Sequence, residues 1–337
     1  MARSDNLTGA LLMMASMAAF TLNDTMMKVL AGEVPLFQLL FLRGVLTTLA
    51  VAAIAWWMGA LRARVSKRDR WVIFWRTVGE TGAAYFFLTA LFNMPLANVT
   101  AILSALPLTL TLAAALFLRE PVGWKRLAAI AVGFAGVMLI VRPGASDFNL
   151  FSLYALIAVG FVTLRDLSAR RLSPETPSML VTLITSAVIM VFFGVASLAE
   201  EWSPMDARAL GLTSGAAFMI IGGYLFSIMV MRVGEIGFTA PFRYTGLIWA
   251  LVLGWLVFGD WPETITLVGA AIVAGSGLFT LYRESRLARA ERDLEAHGAD
   301  RQGPRRQAGH RLSGMIPLRW TSGLRDSASG GTHKAKR

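Results

Sequence analysis

The sequence predicts an all-α polytopic membrane protein: ten transmembrane helices in two inverted five-helix repeats. Three observations carry that prediction. Hydrophobic residues make up 55% of the 337-residue chain and charged ones only 16%, against about 25% charged in a soluble domain. The apolar residues gather into runs of roughly 20, the length that crosses a hydrocarbon core. A polar signature also recurs at fixed spacing. Thr21-Leu22-Asn23-Asp24, with Lys28, Leu30 and Pro35, returns as Thr163-Leu164-Arg165-Asp166, with Arg170, Leu172 and Pro177, each matched residue 142 positions after its counterpart.

Taken in order, the expected spans are 8–30, 35–58, 71–93, 95–118, 122–141, 149–170, 177–199, 208–232, 236–258 and 264–283. The first is expected to stay in the membrane, because Asn23, Asp24 and Lys28 stand where a secretory signal would be cleaved. Pro35, Pro95 and Pro177 open the second, fourth and seventh runs, where a missing N–H costs nothing. Alternate connections hold Arg62, Arg64, Lys67, Arg68 and Arg70, then Arg119, Lys125 and Arg126, then Arg170 and Arg171, then Arg232. The other connections hold only Arg142 and Arg208, with acids at Glu33, Asp147, Glu200, Glu201, Asp206, Asp260 and Glu263. The positive-inside bias then puts both termini in the cytoplasm of a multi-pass protein of the cell inner membrane. Five spans per half make the second half enter from the opposite side, so the repeat is inverted. The halves are expected at 7–142 and 148–283, and 284–337 as a basic, disordered cytoplasmic tail.

Composition also excludes functions. Cys is absent, and His297, His310 and His333 all lie in the tail. No thiolate, haem or zinc site is therefore expected in the membrane part, and no cofactor. The formal charge of +11 sits largely in the tail and the loops, a topology footprint rather than a nucleic-acid surface. No Gly-x-x-x-x-Gly-Lys-Ser/Thr loop occurs, which argues against a nucleotide-driven pump.

The paired acids after the fourth and ninth spans (Leu118-Arg119-Glu120-Pro121 and Phe258-Gly259-Asp260) and the Gly-rich last spans (Gly133 and Gly136; Gly269, Gly275 and Gly277) resemble the EamA-like drug/metabolite transporters. Thr-Leu-Asn-Asp followed by Lys, with Pro-Leu-Phe-Gln and Phe-Leu-Arg-Gly in the second span, looks like the branch that includes riboflavin-uptake and S-adenosylmethionine-uptake proteins. The resemblance implies a secondary transporter, not an enzyme, with a central cavity lined by spans 1, 3, 4, 6, 8 and 9. Its partners would be a small-molecule substrate and the bilayer, with a coupling proton and a homodimer both left open.

Ionisable groups inside spans are functional candidates by default. Asp24 and Asp166 are the duplicated pair, with Asn23 beside the first. Glu80, tenth in its span, lies about 14 Å deep, near the midplane. It reads either as a substrate or proton site, or as a structural partner of Arg43 or Arg243. Gly79 and Gly82 beside it admit another backbone or a ligand. Arg243 and Tyr244 follow Pro241, whose ring breaks the helix; Pro107 is expected to free the Leu103 carbonyl in the same way. Arg76, Arg170 and Lys28 are expected to snorkel. Trp249 and Trp255 are expected to stack on an aromatic ring or, more simply, to face lipid or pack. The balance of charge within the spans suits a neutral or zwitterionic substrate at least as well as an anion.

Overall fold

The structure is a computed structural model that describes residues 2–119, 122–143, 149–233, 236–283 and 286. The expected tail, and the Glu120-Pro121 pair, lie outside the described residues. Among the described residues, ten long helices follow the ten apolar runs: α1 (Ala2–Val29), α2 (Leu36–Trp57), α3 (Lys67–Asn93), α4 (Leu96–Leu118), α5 (Trp124–Val141), α6 (Phe151–Ala169), α7 (Ser178–Ala196), α8 (Ala207–Val233), α9 (Ala240–Phe258) and α10 (Thr264–Arg283). Among the described residues, nine of these are long and apolar enough to cross a membrane. The remaining one, α3, packs inside the same bundle. Its hydropathy is lowered by Lys67, Arg68, Asp69 and Arg70 at its start and by Arg76 and Glu80 within it.

Local chemistry sets the helix ends. Pro35, Pro95 and Pro177 stand at the N-caps of α2, α4 and α7. Ser66 caps α3 by accepting from the Asp69 N–H at 3.0 Å, and Asp206 caps α8 by accepting from the Ala209 N–H at 2.7 Å. Gly259, with φ +70°, ends α9 in the left-handed conformation, which glycine adopts without steric cost. Two helices are broken internally. α4 is interrupted at Ser104-Ala105, just before Pro107, and α9 begins as a 3-10 stretch over Ala240–Tyr244 containing Pro241.

Packing exchanges the two halves. α1 packs on α8, and its counterpart α6 packs on α3; α1 also meets α9, as α6 meets α4; α2 and α7 pack on each other. Side-chain detail follows the same exchange. A Cβ added at Gly82 would strike the Phe161 ring at 2.5 Å, and one added at Gly223 would strike Phe20 at 2.8 Å. Gly136 and Gly269 lie against each other's carbonyls, so that α5 and α10 touch backbone to backbone. Of the other small-residue positions, Gly133 meets Leu108 and Ser276, whereas Gly211 meets nothing within 4 Å.

Both hydrophobic cores lie at the Val29 end of the bundle. One joins Met27, Leu30, Leu39, Leu40, Leu88, Leu91, Leu96 and Phe193; the other joins Val99, Ile102, Val137, Ile140, Val159 and Val273. That end is also tied by polar contacts. Lys28 Nζ donates to the Leu91 and Met94 carbonyls at 2.8 and 2.6 Å, capping α3, so it does not snorkel as the sequence suggests. Glu200 accepts from the Phe37 N–H at the start of α2, Gln38 and Ser203 exchange two hydrogen bonds, and Arg208 pairs with Glu33. At the opposite end, Asp69 accepts from Thr176 Oγ1 at 2.7 Å and from Ser173 Oγ at 3.0 Å, fastening the α6–α7 loop to α3. Arg170, the counterpart of Lys28, is exposed there. Exposed tryptophans ring both ends, Trp56, Trp57, Trp71 and Trp124 at one and Trp202 and Trp261 at the other, as an interfacial belt requires.

Candidate functional site: a cavity between the halves

The two helix breaks face one cavity of about 300 Å³, the lower bound for a small-molecule site. Its walls come from Met17 to Asp24 of α1, Arg43 of α2, Glu80 to Leu88 of α3, Thr100 to Pro107 of α4, Val162 and Arg165 of α6, Ile220 and Tyr224 of α8, and Arg243 to Leu247 of α9. These are the six helices the resemblance implies, with α2 added through Arg43. Of the predicted residues, Asn23, Asp24, Arg43, Glu80, Arg243 and Tyr244 line the cavity. Asp166 does not; it sits behind Arg165, accepting from Arg165 Nε at 2.8 Å.

Pairing within the cavity differs from expectation. Glu80 is partnered by neither Arg43 nor Arg243. Its Oε1 accepts from Arg165 Nη1 at 3.2 Å and from Tyr224 Oη at 3.2 Å, while Arg76 lies 4.0 Å from Oε2. Arg76 therefore turns inward instead of snorkelling, and also donates to Thr185 Oγ1 at 2.8 Å. Arg43 Nη1 donates to Asn23 Oδ1 at 3.2 Å, and Asn23 Nδ2 donates to Asp24 Oδ1 at 2.9 Å. A helix approaches Gly79, not a ligand. A Cβ there would lie 2.8 Å from the Arg165 backbone nitrogen and 2.9 Å from the Phe161 carbonyl. That closeness of α6 brings the Arg165 guanidinium to Glu80.

The sequence carried a signal for Arg165 that motif matching passes over. Asn23 and Arg165 are the one mismatch inside the repeated Thr-Leu-x-Asp. Arg43 has Thr185 as its 142-residue counterpart. In one half the cation stands on the second helix, beside an amide on the first; in the other it stands on the first helix, and the hydroxyl on the second accepts from Arg76 instead. Each half keeps one cation next to its repeated aspartate, and neutralising a buried carboxylate is what makes such a position tolerable. Thr163 belongs to the same motif and shares a 2.8 Å hydrogen bond with Thr109 of α4.

The breaks add polar backbone. Pro107 supplies no N–H, and no backbone N–H among the described residues donates to the Leu103 carbonyl, as the sequence predicts. The Ser104 hydroxyl donates to the Thr100 carbonyl at 2.8 Å and the Thr100 hydroxyl to the Leu96 carbonyl at 2.9 Å, leaving acceptor lone pairs on this wall. Ser104 and Arg243 are counterparts at a spacing of 139, so the two breaks stand at equivalent places. Trp249 and Trp255 line no part of the cavity. Trp249 Nε1 is buried without an acceptor, and Trp255 is exposed.

Comparison with known proteins agrees with this architecture. Residues 7–142 match the EamA-like transporter family, and that stretch is an EamA-like transporter domain. The S-adenosylmethionine uptake transporter of Rickettsia bellii is 26% identical over 283 residues, covering 80% of this chain and 92% of that protein. The riboflavin transporter of Vibrio cholerae is 28% identical over 251 residues, covering 73% and 84%. The pseudopaline exporter of Pseudomonas aeruginosa is 23% identical over 281 residues, covering 79% and 93%. A chain of known crystal structure superposes with a TM-score of 0.57 at 19% identity, over 85% of this chain and 99% of the other, which shows a shared fold.

Proposed function

We propose that this membrane transporter of the EamA-like family moves a small metabolite across the cytoplasmic membrane as a secondary transporter, by alternating access between its two halves, 7–142 and 148–283. The observation that carries the reading is the cavity itself, where helices of both halves bring ionisable side chains and two helix breaks to one half-open volume with a largely apolar wall. Substrate sites of secondary transporters are built this way, at a repeat interface from discontinuous helices. The one-sided cores support an inward-facing state. With the Val29 end sealed by both clusters and the termini cytoplasmic, the route to the cavity runs from the cytoplasmic side. Asn23, Asp24, Arg43, Glu80, Arg243 and Tyr244 contact the substrate or a coupling proton, and Asp166 acts through Arg165.

Relatives named for S-adenosylmethionine uptake and riboflavin transport make those two compounds the first substrates to try, with amino-acid-like compounds and drugs next. The test is uptake of each radiolabelled compound into proteoliposomes carrying the full chain. Accumulation that collapses when the gradient is dissipated supports secondary transport. Conversion to a product without accumulation supports a membrane enzyme instead.

A further inference from the structure

We propose that the cavity recognises its cargo through an anionic group seated on Arg243, which makes the substrate an organic anion or an amphoteric compound with a carboxylate-type end. The inference rests on the transport reading only in calling the ligand a cargo; the charge selectivity stands on the cavity alone.

The pairing inside the site sets the sign. Three carboxylates (Asp24, Glu80 and Asp166) face four guanidinium groups (Arg43, Arg76, Arg165 and Arg243) in and around the cavity. Arg165 is held by Asp166 and Glu80, Arg76 by Glu80 and Thr185, and Arg43 by Asn23 next to Asp24. Arg243 lines the same cavity, is exposed within the structure, and makes no hydrogen bond or ion pair to any described residue. One positive charge is therefore left over. A cation at membrane depth is costly unless something answers it, and none of the cavity carboxylates does.

The two helix breaks offer opposite chemistry at equivalent places. On α9 the 3-10 stretch presents the Arg243 donors. On α4 the Leu103 carbonyl, with the acceptor faces of Ser104 and Thr100, presents the reverse. A molecule with an anion at one end and an N–H or ammonium at the other satisfies both breaks at once, whereas a neutral molecule leaves the guanidinium unanswered. Glu80, already accepting from Arg165 and Tyr224, is taken out of the competition for Arg243.

Because the chain has no cysteine, Ser104→Cys places one thiol at the α4 break. The full chain with this change, in lipid nanodiscs, is labelled with anionic, neutral and cationic methanethiosulfonates of similar size, and each rate is divided by that for a free thiol. The surplus charge is expected to favour the anionic over the cationic reagent by about tenfold or more, the low end of field focusing in a cleft. Arg243→Gln in the same background is expected to remove most of that preference, and Arg243→Lys to keep it. Equal normalised rates for the two reagents, absence of labelling by all three, or a preference unchanged in Arg243→Gln would overturn the assignment. Should Arg243→Gln not fold, the Ser104→Cys ratio and its survival in Arg243→Lys decide. Failed uptake with intact charge preference would count against the transport reading alone.

Discussion

Replacing Glu80 by Gln tests whether the α3–α6 ion pair holds the two halves of the cavity together. Removing one partner of a buried pair costs about 3–5 kcal/mol when the other charge is left alone. Here Arg165 keeps Asp166 at 2.8 Å, and both side chains of the lost pair retain some exposure, 17% for Glu80 and 23% for Arg165. The loss is then closer to that of a charge-assisted hydrogen bond, about 1.5–3 kcal/mol. The assay is a double-mutant cycle on thermal or denaturant stability of purified protein, with Glu80→Gln, Arg165→Gln and the double change. A coupling energy of about 1–2 kcal/mol is expected, since directly paired residues are non-additive by 0.5–3 kcal/mol. Additivity within about 0.3–0.5 kcal/mol would refute the pair as a structural element. Uptake measured on the same variants separates roles. Loss of transport in a Glu80→Gln protein of near-normal stability assigns Glu80 to substrate or proton handling, and wild-type uptake would remove it from the site.

Further outcomes follow from other contacts. Gly79→Ala drives a Cβ against backbone atoms of α6, so a destabilisation of about 1–3 kcal/mol from overpacking is expected, while Gly211→Ala, in open space, stays within about 0.5 kcal/mol of wild type; equal tolerance of both would contradict the α3–α6 approach. The Asp69 carboxyl, 1% exposed, is held below the usual carboxylate range by the Thr176 hydroxyl and then by Ser173, against the opposing effect of burial. A depressed folded pKa gives stability that is present above the unfolded value, about 3.9, and is lost as pH falls through the folded one. Acid melts below about pH 4 should therefore flatten in Asp69→Asn, and an unchanged acid limb would dismiss this latch. Lys28 and Arg170 are counterparts with different surroundings, Lys28 half-buried against the Leu91 and Met94 carbonyls and Arg170 exposed. In Lys28→Cys and Arg170→Cys proteins, a membrane-impermeant thiol reagent should modify position 170 in inside-out vesicles and position 28 only from the other face, and more slowly; labelling of both from one side would overturn the inverted topology.

The sequence by itself determined the fold class, ten helices and their ends to within a few residues, except that α1 and α3 begin earlier, and it named most of the ionisable residues that line the cavity. Hydropathy and caps are local and additive, so a window of 20 residues contains them, and the repeated Asp24 and Asp166 stand out because carboxylates are rare in such windows. Partnership was not contained there. Whether Glu80 meets Arg43, Arg165 or Arg243 depends on how α3 is rotated and how near α6 comes, and that nearness rests on two atoms' clearance at Gly79. The inward turn of Arg76 toward Thr185, and the concentration of both cores at the Val29 end, likewise arise between helices distant in the chain. A one-dimensional pattern fixes which residues enter the membrane; only packing in three dimensions decides which charges neutralise one another, and so which one, Arg243, is left to face the cavity.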